Sequence, residues 1–431
     1  MNSPFPTTVI FTKENHPSNL RDPYIEEQHQ EFSENSQNLD TSFLRKKLFG
    51  LLGRTNPKTD RTKKLTSKDL RQIVIFRYDA IGDYIVSSPI MRWLHEAYPN
   101  VSVDVVTSYR NDVMAKIDPF VRESFAIHPG HNFHPSWFSL MKKLRPKNYD
   151  VVLGLVFTRM TKCAILARGV APNAEKITLM HRNRRQIYGL VFPRQTDHEM
   201  WREHWAETML RVVTENFEPE VQPSPKAHNP YIVIDEKSWS STEAVLKSHG
   251  LHSRGLTENL IPGKNWQNNL PEAFDGEPYC VVNISAHTQN RQWSFENALA
   301  VCRGLLSRFK HLKIFLGGSP DDTETLKRIE AALSDNRCSY VPMKLAEFIA
   351  FVANATVVIT PDTATLHMAA AAQVPVVGLY AEYIKVAEWY PYKTEFALVL
   401  SRFENTINAI EPEKVLEACE ILLEKTNTVL A

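Results

Sequence analysis

Val357-Val358-Ile359-Thr360-Pro361-Asp362-Thr363-Ala364-Thr365-Leu366-His367-Met368-Ala369-Ala370-Ala371-Ala372 changes character twice. A β-branched run stops at a proline, polar residues suited to a helix N-cap follow, and small helix-favouring residues come after them. Gln373-Val374-Pro375 ends that helix, and Val376-Val377-Gly378-Leu379-Tyr380 reads as the next buried strand. Strand, turn, helix and strand in this order build a parallel sheet. The turn leaves the backbone N–H groups of Thr363, Ala364 and Thr365 at a helix N-terminus, where an anion is favoured. Pro361 holds the residue before it extended and so limits the approach. The stretch reads as a cradle for a nucleotide diphosphate.

Outward from this unit, strands and helices keep alternating. Tyr279-Cys280-Val281-Val282-Asn283-Ile284 is a buried strand, and a helix follows Ser294. Lys313 to Leu316 is another strand, closed by the tight turn Gly317-Gly318-Ser319-Pro320. Helices are expected at Ala346–Ala353 and Pro412–Lys425. Nearer the N-terminus, Ile73 to Phe76 is a short buried strand and Arg77 to Asp83 a turn. A helix runs from Tyr84 to about Pro99-Asn100, with strands at Val101–Thr107 and Val151–Phe157. A helix at Thr161–Ala167, the basic run His181 to Arg185, and a helix burying Trp201, Trp205 and Leu210 complete this half. The alternation predicts an α/β protein of two doubly wound parallel-sheet domains facing across a cleft.

Composition sets the domain limits. Residues 1–70 form an N-terminal extension, polar and disordered to about residue 40. A basic amphipathic helix is expected within 41–54, where Phe43, Leu44, Leu48, Leu51 and Leu52 recur beside Arg45, Lys46, Lys47 and Arg54. Two placements suit it: an anionic inner-membrane surface, or packing on the body of the protein. Residues 71–225 are the first domain, bounded by Pro223, Pro225 and Pro230. Residues 226–275 read as a linker and irregular insertion, 276–411 as the second domain, and 412–431 as a C-terminal helix.

The chain has 431 residues and a formal charge of +1, which argues against a nucleic-acid partner. Its five cysteines, Cys163, Cys280, Cys302, Cys338 and Cys419, show no CxxC spacing and suit a reducing compartment. No apolar run approaches the ~18 residues of a spanning helix, and Met1-Asn2-Ser3-Pro4 lacks the pattern of a signal peptide. A cytoplasmic location is expected, with a peripheral contact to the inner membrane. No GxGxxG follows the first strand, so a Rossmann dehydrogenase is disfavoured.

Ligands of open α/β sheets bind at the carboxyl ends of strands, near the reversal in strand order. Three strand-end turns qualify: Asp79–Asp83, His287–Trp293 and Asp362–His367. Ile73 to Asp83 followed by Ser88-Pro89 resembles the N-terminal signature of glycosyltransferase family 9, the lipopolysaccharide heptosyltransferases. Asp362 to Ala371 is similar to that family's C-terminal signature, and Arg291-Gln292-Trp293 to its basic residue before a tryptophan. The resemblance covers residues 71 to 425. It implies a GT-B fold with two Rossmann-like domains, acceptor on the first and nucleotide-sugar on the second. It also implies inverting transfer without an obligatory metal or other cofactor, the nucleotide-diphospho-sugar being a co-substrate. The implied donor is ADP-heptose, and the implied acceptor an anionic glycolipid or glycan such as a lipopolysaccharide core.

Carried onto this sequence, the resemblance makes Asp83 the general base that deprotonates an acceptor hydroxyl. Asp83 also suits the N-cap of a helix starting at Tyr84, and Asp79 is the rival carboxylate. Arg291 would neutralise the leaving diphosphate; the family more often has lysine there. Thr363, Ala364 and Thr365 would hold the same diphosphate through their backbone. Ala364 stands where the family usually has glycine, which is harmless only at negative φ. Asp362 would bind sugar hydroxyls or cap the turn, and His367 would reach a phosphate oxygen or sit satisfied in the core. Gly317 and Gly318 would admit the nucleoside, with Asp322 or Asp321 on its ribose. Arg77, Arg110, Arg159, Lys162, Arg182 and Arg185, with Arg184, would bind acceptor carboxylates and phosphates or form an ordinary solvated face. Two other activities use the same cradle: a nucleotide-sugar 2-epimerase, and an inactive sugar-nucleotide-binding protein.

Overall fold

The structure, a computed structural model, describes residues 8–16, 43–54, 56, 60, 62–128, 134–157, 160–180, 185–401 and 405–425. The chain forms two compact units, Asp22–Pro230 and Met1–Arg21 with Tyr231–Ala431. Strand β1 (Thr8–Phe11) is part of the second unit.

The Asp22–Pro230 unit carries α1 (Phe43–Gly53), β2 (Gln72–Phe76), α2 (Ile81–Ala97), β3 (Ser102–Ser108) and α3 (Asp112–Ile117). Then come β4 (Glu123–Ile127), α4 (Pro135–Leu144), β5 (Val151–Gly154), α5 (Met160–Val170) and β6 (Glu175–Met180). The short α6 (Arg185–Tyr188), β7 (Arg194–Asp197) and α7 (Trp205–Asn216) complete it. Its six strands are parallel, in the order β4-β3-β2-β5-β6-β7. Ile73, Val74, Ile75 and Phe76 are fully buried, as a strand covered by helices on both faces requires. The order reverses between β2 and β5, where Ile73 pairs with both Val103 and Val151.

The second unit begins its continuous part with β8 (Ile232–Ile234), α8 (Glu236–Ser248) and β9 (Leu260–Pro262). It continues through β10 (Tyr279–Asn283), α9 (Phe295–Arg308), β11 (Lys313–Gly317), α10 (Thr323–Leu333), β12 (Cys338–Tyr340) and α11 (Leu345–Ala353). It ends with β13 (Val357–Pro361), α12 (Ala364–Ala371), β14 (Val376–Tyr380), α13 (Tyr383–Trp389), β15 (Phe396–Ser401) and α14 (Pro412–Lys425). Its main sheet has the order β1-β15-β14-β13-β10-β11-β12, with reversal between β10 and β13. The two-sheet α/β architecture expected from the sequence is the one observed.

Three expectations change. Residues 8–11 are not an unstructured extension: β1 adds antiparallel to the edge of β15, pairing Thr8 with Ser401 and Phe11 with Leu398. Lys13–Glu395 and Glu14–Lys425 ion pairs and the buried His16, edge-on to Tyr390 at 4.3 Å, secure it. Residues 232–262 are not a linker. They form a parallel β8–β9 pair around α8, which packs on α11 with Thr242 Oγ1 donating to the Glu347 carbonyl at 3.0 Å. Finally, α2 starts at Ile81, so Asp83 lies in its first turn rather than at its N-cap, Ala80. Most of residues 1–42 and the run 181–184 lie outside the described residues.

Candidate functional site

Each unit carries its own candidate site, at the reversal of strand order in its sheet. In the first, β2 delivers Arg77-Tyr78-Asp79-Ala80 into the start of α2. Asp83 Oδ2 accepts the Ala80 N–H at 2.8 Å, the reach-back bond of a third-position carboxylate. Its side chain keeps 18% exposure, so the carboxylate is both fixed and reachable.

Arg77 does the fixing. It is 1% exposed, and its Nε and Nη2 donate to the Asp83 carbonyl at 2.9 and 2.6 Å. Nε also reaches Ser87 Oγ at 3.2 Å, while Nη1 donates to the Leu155 carbonyl and to Asp79 Oδ2. The Asp83 carboxylate stands 3.7 Å from Nη2. Burial pushes the guanidinium below its usual value, opposed by Asp83 and Asp79; an arginine remains charged even so. Asp79 Oδ2 accepts the Phe157 N–H at 3.0 Å, and the Phe157 ring lies 4.5 Å from the guanidinium. The loops after β2 and β5 are thereby tied together. Asn111, the N-cap of α3, adds a bond from Nδ2 to the Arg77 carbonyl at 2.9 Å.

Arg77 and Lys162, expected to meet an acceptor, are therefore interior. Lys162 is buried, donates to the His128 carbonyl at 2.7 Å, and lies over the Tyr78 and Trp137 rings. Each cation is engaged by protein carbonyls and aromatic faces. Arg110 is exposed just beyond β3, at the carboxyl end of the sheet. Arg159 and Arg182, with Arg184, lie outside the described residues; Arg185 begins α6, and its side chain is not described.

In the second unit's candidate site, β10 and β13 end side by side. Asn283, buried at the end of β10, donates through Nδ2 to Thr360 Oγ1 at 3.0 Å, the Ser285 carbonyl at 3.2 Å and Thr363 Oγ1 at 3.4 Å. It ties together the turns after β10 and β13. Thr363 is the extended N-cap of α12, and no side chain caps that helix. Ala364 is its first residue and is absent from the positive-φ positions, so alanine there carries no backbone strain. Arg291 comes from a single 3-10 turn, with Nε donating to Thr288 Oγ1 at 2.9 Å. Its Nη1 donates to the Asp362 carbonyl at 3.1 Å and to Asp362 Oδ2 at 3.0 Å. Nη2 meets no acceptor among the described residues, leaving one edge of the guanidinium beside the α12 N-terminus. Burial raises the Asp362 carboxyl above its usual range, although Lys385 and Arg291 act to lower it. Thr365, the second residue of α12, and His367, the fourth, are buried, with the His367 ring 5.9 Å from Trp389.

Asp322 was expected at a ribose and is instead a buried knot. Burial alone would raise it, but hydrogen bonds from Ser285, Ser319 and Gln292 outweigh that and hold it below the usual range. Oδ2 accepts from Ser285 Oγ and from Ser319 Oγ and N–H, and Oδ1 accepts from Gln292 at 2.9 Å. Asp321, next to it, is exposed. Gly317 and Gly318 are packing glycines: a Cβ would meet the Phe348 ring at 3.0 Å in one case and Leu326 at 3.0 Å in the other. Neither is left open for a nucleoside in that direction. Sequence reading missed Asn283 and Ser87. Ser319-Pro320-Asp321-Asp322 has capping-box spacing, a signal that would have marked Asp322 as internal.

A model of glycosyltransferase family 9 (heptosyltransferase) matches residues 137–417. The chain is 22% identical to lipopolysaccharide heptosyltransferase 3 of Escherichia coli K12, over 79% of its own length and 95% of that protein's. A family 9 glycosyltransferase structure from Veillonella parvula superposes with a TM-score of 0.63 at 18% identity, covering 85% of this chain and all of that one. The E. coli heptosyltransferase WaaC with ADP gives 0.59 at 17% identity, covering 81% and 99%.

Proposed function

The chain belongs to glycosyltransferase family 9, and we propose that it moves heptose from ADP-heptose to a hydroxyl of a lipopolysaccharide core or related glycan. In this reading the Asp83 carboxylate takes the proton of the acceptor hydroxyl as its oxygen bonds to the anomeric carbon. The bond from that carbon to the β-phosphate oxygen breaks, its electron pair leaves with the diphosphate, and configuration inverts. Negative charge grows on the leaving group, where a fixed cation and unsatisfied N–H groups lower the barrier. Arg291 and the first turn of α12 supply both. Exposed Arg110 is the remaining described candidate for acceptor anions.

The observation that carries the proposal is the Arg291 guanidinium, locked on Asp362 beside an uncapped helix N-terminus with its Nη2 edge unused. ADP as the nucleotide is supported by the ADP-bound E. coli relative. Calorimetry with ADP-, UDP- and GDP-sugars, followed by transfer assays on the hit with and without a chelator, tests it. Arg291→Ala removes a charge-assisted hydrogen bond of about 1.5–3 kcal/mol, so donor affinity falls roughly 10- to 150-fold. Unchanged affinity in that variant would refute the donor site. Release of free nucleotide from donor alone, with no acceptor needed, would favour the epimerase reading.

A further inference from the structure

Cations approach the start of α12 from both neighbouring strands. Strand β13, which leads into α12, lies between β10 and β14 in the sheet. Arg291 reaches Asp362 from the turn after β10. On the other side, the Asp362 N–H donates to the Leu379 carbonyl of β14 at 3.1 Å. Helix α13 follows β14 after only Ala381 and Glu382, and carries Lys385 in its first turn. The positive charge of Lys385 acts on the Asp362 carboxyl together with that of Arg291.

Lys385 is held without being neutralised. It is half-buried, and its ammonium lies 5.4 Å from the centre of the Trp389 ring, within the range of a cation–π contact. Trp389 in turn meets His367 of α12 at 5.9 Å, so the lysine is anchored against the helix whose start it flanks. Among the described residues its Nζ has no hydrogen-bond acceptor and no carboxylate within ion-pair distance. Two cations therefore share one carboxylate, and burial works against the charge of that carboxylate. Positive charge is left in excess, and an anion reaching both cations would balance it.

Strand order gives such an anion a direction. An apolar recess lined by Leu316, Val341, Met343 and Phe348 lies around β11, β12 and α11, on the far side of β10 from β13. Apolar recesses of this kind suit a flat base. A nucleotide diphosphate that starts there and crosses the start of α12 passes Arg291 first. Its far phosphate, the one bearing the sugar, then lies on the Lys385 side.

We propose that Lys385 binds the sugar-bearing β-phosphate of the donor, as the second cation of a clamp completed by Arg291. The inference rests on the donor-site reading above and adds to it a residue from the far side of β13. When the bond to the anomeric carbon breaks, its electron pair stays on that phosphate, so a cation there acts most strongly in the transition state.

Calorimetry on the full chain with ADP, UDP and GDP, and with the monophosphate of whichever diphosphate binds, tests the proposal in wild type, Lys385→Met and Lys385→Arg. Loss of a charge-assisted hydrogen bond in Lys385→Met should weaken the diphosphate about tenfold or more, while monophosphate affinity stays within about twofold. Lys385→Arg should restore most of the diphosphate affinity, and in transfer assays Lys385→Met should lose kcat more than it raises KM. Equal losses for monophosphate and diphosphate, with a lowered unfolding midpoint, would make Lys385 a structural residue and overturn the proposal. Diphosphate binding unchanged in Lys385→Met but weakened in Arg291→Ala would overturn it too and leave the donor site standing. A wild-type chain that binds none of the three diphosphates overturns the donor-site reading and this inference together.

Discussion

Asp83→Asn separates the chemistry of Asp83 from its structural work. The carboxylate accepts one backbone N–H, from Ala80 at 2.8 Å. An asparagine amide oxygen keeps that bond, so the start of α2 survives. The charge lost faces Arg77 at 3.7 Å, but the guanidinium retains the Asp83 carbonyl, Ser87, the Leu155 carbonyl and Asp79. Stability should therefore fall by no more than about 1 kcal/mol. Catalysis should fall far more, because an amide cannot take a proton. General-base assistance is worth 10²–10⁴-fold, or about 2.7–5.4 kcal/mol of barrier. The assay is nucleotide release at saturating donor and acceptor, with calorimetric donor affinity and the unfolding midpoint measured on the same preparation. The expected pattern is a rate loss of at least a hundredfold with donor affinity and midpoint nearly unchanged. Asp83→Ala should match it in rate and lose about 1 kcal/mol more stability, the cost of the missing helix-start bond. A rate within tenfold of wild type in the asparagine variant would show that Asp83 only shapes the helix start.

Three further outcomes follow from buried charges. Arg77→Met strips a fully enclosed cation from two carboxylates and two carbonyls and should destabilise by about 3–5 kcal/mol, with Arg77→Lys between; an unshifted unfolding midpoint would contradict the account of α2. Asp362 is raised, so the folded state holds its proton more tightly than the unfolded chain, and the stability linked to it is present at acid pH and lost as pH rises through the folded value. Asp362→Asn should thus leave thermal stability at neutral pH unchanged or higher while donor affinity drops, since Arg291 keeps only neutral oxygen acceptors and is held less firmly; a lower midpoint would refute this. Burial pushes His16 down from 6.5 to about 4, so its contribution is present above the ordinary value and lost as pH falls from about 6.5 to 4. Hydrogen-exchange protection of β1 should decline across that window and stay flat in His16→Phe.

How much was legible depended on whether a residue's surroundings are local. Ile73–Phe76 and Val357–Ile359 are buried on both faces, so their apolar runs are unbroken and the strand–turn–helix units they open were readable. Strands β4, β6 and β7 were not, because Glu123, Lys176, Arg194 and Gln195 interrupt them. Lys176 is fully buried nevertheless, its ammonium shared among Asn56, Pro172 and Ala174, a satisfaction no window of sequence displays. Strands β8 and β9 span three residues each, below the length at which alternation registers. Strand β1 owes its existence to β15, nearly the whole chain away. Candidate residues divided in the same way: Asp83 and Arg291 were singled out by motif, whereas the enclosure of Arg77, Lys162 and Asp322 comes from carbonyls and hydroxyls that converge only on folding.

The two units solve one physical problem alike. A parallel strand ends where the order of strands reverses, and the next helix begins within a few residues, leaving polar backbone exposed at the seam. In each unit one buried side chain spans that seam. Arg77 bonds the loops after β2 and β5 and the first turn of α2, and Asn283 bonds the turns after β10 and β13. Each satisfies backbone or hydroxyl groups that would otherwise cost about 1–3 kcal/mol apiece when buried. The same bonds fix the candidate functional group nearby: the Asp83 carboxylate in one unit, the uncapped start of α12 in the other. Stability and preorganisation are therefore a single set of contacts here. Asn283→Ala should consequently lower donor affinity without touching the donor, and Asn283→Asp should lower it further by setting a carboxylate near the diphosphate. Donor binding indifferent to both variants would separate the two roles and refute the shared design.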